Sequence, residues 1–162
     1  MPESRVRQRL AERGVELPAC WSLPPDADIP ADFVVVDQGI AYLSGHLPTD
    51  LDGSVTALFG TVGGEIDLGQ AQDLATAATL NLIATLEAAI GDLDRVQKWL
   101  RVDGLVNAAP DFTDYPAVFN PASKLLVEAF GSEVGRHCRL AYGAAGLPWN
   151  APVEIAATVR VA

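Results

Sequence analysis

Residues 68–108, LGQAQDLATAATLNLIATLEAAIGDLDRVQKWLRVDGLVNA, change period halfway along, and that change sets the fold class. Up to Ile90, apolar or small residues fall at Ala71, Leu74, Ala75, Ala78, Leu82, Leu86 and Ala89, the three-and-four spacing that lays one stripe along a helix. Gly91 follows as the stop, because glycine enters the left-handed closing conformation without a Cβ clash. Beyond GDLD the alternation is that of a strand, with Val96, Lys98, Leu100 and Val102 expected on one face and Trp99 and Arg101 on the other.

Both patterns recur downstream. Residues 115–131 place Val118, Ala122, Leu125, Leu126 and Ala129 on a second helical stripe, and VEIAATVRVA at 153–162 alternates Val153, Ile155, Ala157, Val159 and Val161 as a strand with one fully apolar face. Upstream, DFVVV and IAYLSG flank Asp37, Gln38 and Gly39, which reads as a hairpin. Residues 18–30, PACWSLPPDADIP, hold four prolines and no period, an extended connection. Residues 4–13 form a short helix with Val6 and Leu10 one turn apart and Gly14 as its stop, a packing or subunit contact.

The order strands, helix, strands, helix, strands gives an α+β fold: a mixed β-sheet with two helices on one face, in a single domain over residues 1–162 with residues 1–30 as an N-terminal extension. Such a sheet leaves its other face needing a partner. The final strand leads us to expect dry surroundings on both faces, hence an oligomer.

Composition narrows the function. A hydrophobic share of 49% with 20% charged residues belongs to a globular domain. The net charge is −10, and beyond residue 14 only seven Lys or Arg stand against nineteen Asp or Glu, the reverse of a nucleic-acid surface. No apolar run is read as long enough for a membrane span. Cys20 and Cys138 could pair, but with no secretory signal they read as reduced thiols, and a cytoplasmic location is the default.

Motifs for direct chemistry are few. There is no GxGxxG, Walker loop or CxxC, and His46 and His137 have no metal-ligand spacing, so no metal is expected. Ser44 lacks a nucleophile elbow, His46 reads as a polar residue at a strand end, and His137 as an exposed or interface residue. Trp149, Phe119 and Tyr142 either line a larger pocket or fill core, and core is the favoured reading. Two residues resist a bland reading: Arg139 and Glu154 lie inside otherwise apolar strands, where an unpaired charge costs several kcal/mol. They form either a structural ion pair or part of a ligand site.

SGHLP, the helix ending in GDLD, PDFTDYPAVFNPAS, GRHCR and LPWNAPVEI follow in a fixed order from about Leu43 to the C-terminus. This ordered set resembles the reactive intermediate deaminase (Rid/YjgF) family, in particular a branch with a longer N-terminal region. The resemblance implies a chorismate-mutase-like fold, a homotrimer with a site in each cleft between subunits, and hydrolysis of short 2-imino acids to 2-keto acids and ammonia without a cofactor. It places the carboxylate-binding arginine at Arg139, eight residues before Leu147, and the water-positioning glutamate at Glu154. Gly45 and Asn120 match the family's other ligand contacts, although Gly45 can equally serve close backbone approach and Asn120 a helix N-cap. Ala141 stands where a cysteine is common, His46 where a glutamine is, and Ala31 or Phe33 where a tyrosine is. A small-carboxylate binding protein without turnover and an endoribonuclease are the other readings. Neither nucleic acid nor membrane is expected as the partner.

Overall fold

The computed structural model describes residues 4–22 and 26–162. The proline-rich connection carries no regular element where it is described, and its residues 23–25 lie outside the described residues. The elements are α1 (Arg5–Glu12), β1 (Val34–Asp37), β2 (Ile40–His46), α2 (Leu68–Ile90), β3 (Val96–Asn107), α3 (Tyr115–Phe130), α4 (Ser132–Gly135), β4 (Cys138–Ala144) and β5 (Val153–Val161).

Local chemistry fixes the long helix at both ends. Asp67 accepts the Gln70 N–H at 2.8 Å while the Gln70 side chain accepts the Asp67 N–H at 3.0 Å, a reciprocal cap that satisfies two free donors. At the other end Gly91 sits at φ 81° and donates its N–H to the Glu87 carbonyl at 2.7 Å. By length and composition α2 would also suit a membrane span, which the sequence reading did not register; here most of it is buried as the central core helix.

Helix α3 begins at Tyr115, with Asp114 as its N-cap, and runs through Pro121. Asn120 is therefore a helix-interior residue and not the N-cap that its place before a proline suggested. Proline lacks the N–H that would serve the Ala117 carbonyl. Gln72 of α2 supplies the missing donor at 2.9 Å, so the helix continues.

The sheet order is β1-β2-β5-β3-β4, with β4 parallel to β3 and the other pairs antiparallel. Gln38 at φ 47° and Gly39 at φ 76° close the β1–β2 hairpin as a two-residue turn of the primed kind. Helices α2 and α3 cover one face, against which Val153, Ile155, Ala157, Val159 and Val161 are all buried.

One expectation about the strands needs correction. In β3 the register with β5 shifts between Val96 and Lys98 and again between Trp99 and Arg101. Each irregularity resets the alternation, so Val96, Trp99 and Val102 share the buried side while Lys98 opposes Arg160. Within the single chain one face of β5 is covered. Its other face carries Glu154, Ala156 and Thr158, half-buried, and exposed Arg160. Around them Val35, Tyr42, Leu140 and Tyr142 are 41–51% exposed, leaving that side of the sheet apolar and open.

Helix α1 docks through buried Val6 and Leu10. Its arginines bind acidic groups of the domain: Arg5 with Asp94 at 3.1 Å, Arg7 with Glu87 and Arg13 with Glu128 at 2.9 Å. Pairs this exposed contribute ~0–1 kcal/mol each, so the apolar stripe holds the helix and the charges set its orientation.

Candidate functional site

Arg139 lies on β4 opposite Val102, on the helix-covered face. Its guanidinium reaches α3, where Nη1 donates to Ser123 Oγ at 3.0 Å and Nη2 donates to Asn120 Oδ1 at 3.1 Å and the Pro116 carbonyl at 3.2 Å. Residues 116, 120 and 123 recur at helical spacing, so one face of α3 presents three acceptors to a single guanidinium. Partial burial lowers the Arg139 pKa, and the acceptors compensate that loss of solvent.

His137 extends this network. Its Nδ1 is 2.7 Å from the Gly135 carbonyl, which needs a donor, and its Nε2 is 3.1 Å from Ser123 Oγ. The Gly135 carbonyl requires the proton on Nδ1, so in the neutral ring Nε2 is the acceptor for the Ser123 hydroxyl, whose oxygen accepts from Arg139. Burial first, and then the nearby Arg139 and Lys98 charges, lower the His137 pKa against the opposing Gly135 bond. His137 is thus a half-buried brace behind the arginine within the chain, and not fully exposed.

Glu154 stands in a different setting. It opposes Leu105, on the open side of the sheet, and lines a cavity with Gly45, Ser44, Phe33, Leu47, Trp21 and Trp149. It makes no hydrogen bond or ion pair with any described residue, and burial raises its pKa. Gly45 has a steric reason: a Cβ there would collide with the Glu154 carboxylate. The β2–β5 register shifts between Leu43 and His46, which moves the strand aside at this point.

The structure thus joins Arg139 with Asn120 and Glu154 with Gly45, but places the two pairs on opposite faces of the sheet in separate depressions. The structural ion pair between Arg139 and Glu154 does not form within the chain. Ala141 follows Arg139 on the same face of β4, half-buried against the core.

Ser44 and His46 do not assemble as a nucleophile and base. The Ser44 hydroxyl donates to the Asp32 carbonyl at 2.8 Å, while His46 Nδ1 lies 2.7 Å from the Ser44 carbonyl. His46 is fully buried with Nε2 unpartnered, and desolvation lowers its pKa. Cys20 and Cys138 are free and exposed. Of the three aromatic residues expected in the core, Phe119 is there, but Trp149 and Tyr142 are exposed.

Sequence reasoning missed Ser123, His137 and Trp21. The signal for Ser123 was present, three residues after Asn120 on the same helical face. His137 follows once that face is known to meet β4. Nothing in the proline-rich connection marks Trp21, whose place depends on where that segment crosses the sheet edge.

The five-stranded mixed sheet, its two covering helices and the paired arginine and glutamate depressions define a small α+β domain of the chorismate-mutase-like kind. The sequence profile described as "YjgF/chorismate_mutase-like, putative endoribonuclease" matches residues 7–157, and the chain belongs to that family. It is 38% identical over 161 residues to Protein TCP17 of Trypanosoma cruzi, covering 97% of this chain and 94% of that one. Among solved structures it resembles protein Atu1372 of Agrobacterium tumefaciens, a protein of unknown function, at 34% identity and a TM-score of 0.84, over 98% and 93% of the two chains. A Shewanella oneidensis protein described as a "putative endoribonuclease" superposes with a TM-score of 0.86 at 26% identity, over 96% and 99%.

Proposed function

We propose that this protein hydrolyses 2-imino acids and their enamine tautomers to 2-keto acids and ammonia, in a site shared between copies of a homotrimer. The observation that carries this is Glu154, a half-buried carboxylate with no partner among the described residues, facing a cavity and holding its proton more tightly than usual. Such a group fits a water-activating base better than a structural one.

The chemistry balances on this residue. Water adds to the carbon of the protonated iminium, C=NH2+, as Glu154 takes one of its protons. Glu154 returns that proton to the nitrogen to give C–NH3+, and as the C–N bond breaks NH3 leaves, the remaining hydroxyl proton passes to the carboxylate and a C=O forms. Arg139 supplies the cation for the substrate carboxylate through Nε–H and the second Nη1–H, which the α3 acceptors leave free, while Asn120, Ser123 and Pro116 hold the guanidinium plane. An imine is already electrophilic, so positioning supplies most of the acceleration.

Shared sites follow from the two faces. A small acid cannot reach Arg139 and Glu154 of one chain through the sheet, whereas a neighbouring copy on the open apolar face brings a second arginine to the cavity. That face, with Tyr42, Leu140 and Tyr142 exposed, has the character of a subunit contact. A cytoplasmic setting, where both thiols stay reduced, fits the same reading.

Phe33 lines the cavity near the family's tyrosine position but has no hydroxyl, which favours a second reading, a carboxylate-binding protein without turnover. The net charge of −10 opposes the family's endoribonuclease label. Ammonia release from 2-iminopropanoate made in situ tests the proposal. Glu154→Gln should lower turnover by ~10²-fold while pyruvate affinity is retained. No release by the unaltered protein at any pH between 5 and 9 overturns deamination, and retained turnover in the variant overturns the role of Glu154.

A further inference from the structure

The Glu154 cavity has a volume of about 250 Å³. A dry apolar cavity of about 150 Å³ already holds a benzene ring, so a methyl group beside Glu154 would leave most of the space unfilled. The wall is aromatic. Trp21 stands edge-on to Phe33 with ring centroids 4.6 Å apart and edge-on to Trp149 at 6.4 Å.

Trp149 is placed there against backbone preference. It has φ 52° and Asn150 has φ 57°, left-handed values that non-glycine residues adopt only where their surroundings impose them. The surroundings do impose them. The Asn150 side-chain oxygen accepts from Asn107 Nδ2 at 3.0 Å, and its carbonyl accepts the Gly60 N–H at 2.9 Å. Asn107 is itself buried. A strained and pinned turn thus holds an indole 55% exposed at the cavity rim instead of in the core.

The described lining offers no cation to a ligand's second carboxylate. The Ser44 hydroxyl is engaged by the Asp32 carbonyl, and the titratable residues among the described lining, Asp32 and Glu154, are both acidic. A second carboxylate on a ligand would be repelled.

We infer that the Trp21–Phe33–Trp149 wall selects 2-imino acids with an aromatic or large apolar side chain, and that the N-terminal extension supplies part of that selection through Trp21. This rests on the imino-acid reading of the same site. Substrate lies with its C=N carbon at Glu154 and its side chain against the indoles, whose edges and faces suit another ring.

The test compares binding of phenylpyruvate, pyruvate and 2-oxoglutarate to the full chain by calorimetry, with light scattering of each variant. Phenylpyruvate should bind about 10- to 100-fold more tightly than pyruvate, the gain expected from burying a phenyl-sized group, and 2-oxoglutarate more weakly than either. In Trp21→Ala, and separately in Trp149→Ala, the phenylpyruvate-to-pyruvate ratio should fall toward one. Two variants guard against one failing to fold. Equal or tighter pyruvate binding by the unaltered protein overturns this inference and leaves the imino-acid reading standing. Binding of none of the three acids overturns both. Loss of the oligomer in both variants with an unchanged affinity ratio makes the indoles a subunit contact and also overturns it.

Discussion

The depressions around Arg139 and Glu154 are opposites. At Arg139 a cation meets three oxygen acceptors and a histidine brace, so its geometry is determined before any ligand arrives. At Glu154 an anion meets aromatic walls and no described partner, so its proton affinity is raised and its hydrogen-bonding capacity is unused. The contrast separates two tasks. A recognition group gains from being held rigidly in a polar frame, whereas a base gains from a dry setting that moves its pKa toward neutrality.

The proposed division between copies gives the largest expected effect. Arg139→Ala and Glu154→Gln chains should each be nearly inactive as pure oligomers, yet mixed trimers should regain about a third of the normal activity, because each of them restores both groups at one of its three interfaces. Co-expression with two tags and assay of doubly purified oligomers measures this. Absence of any recovery would mean that one chain supplies both groups.

Next in size is the arginine. Arg139→Ala should weaken keto-acid binding by about 10- to 100-fold, the range for hydrogen bonds to a charged group, with little change in melting temperature. Retained affinity in the folded variant would remove the carboxylate role from this cleft.

Gly45→Ala probes the Glu154 side. The added methyl meets the carboxylate, so it should cost about 1–3 kcal/mol as an overpacked site. The cost should largely vanish in a Glu154→Ala background. Equal destabilisation in both backgrounds would show that the clash is with something other than Glu154.

The smallest effect is on stability against pH. The folded-state pKa values of His46 and His137 are both lowered from 6.5, so the unfolded chain takes up protons first. Their contribution is complete above about pH 6.5 and is lost as pH falls through the depressed folded values. Glu154 has the opposite sign: its raised pKa favours the fold below its ordinary 4.5 and that contribution is lost as pH rises through the folded value. Melting temperature should therefore decline from pH 6.5 downward, less steeply in His46→Gln. An unchanged slope would assign the decline to His137 or to other groups.

Much of the architecture is read directly from residue spacing. The long helix ends at Ile90 with Gly91 as its cap, and β5 buries its five alternating residues, because a caps-and-period argument depends only on neighbours in the chain. The strand β3 was legible in extent but not in facing, since its two register shifts depend on how β5 lies beside it. Arg139 and Glu154 were marked by charge in apolar strands. That they occupy opposite faces was not marked, nor was the Ser123 and His137 brace.

What the sequence determined by itself is therefore local and periodic: the helices, the hairpin turn, the apolar face of β5, the family's ordered motifs and the two charges that require partners. What tertiary structure decided is which side each charge faces and what surrounds it. The two pairing partners of β3 fix those facings, Val102 opposing Arg139 and Leu105 opposing Glu154. Strand facing has a period of two, so a single irregularity reverses it, and pairing between strands far apart in sequence leaves no mark on either strand alone.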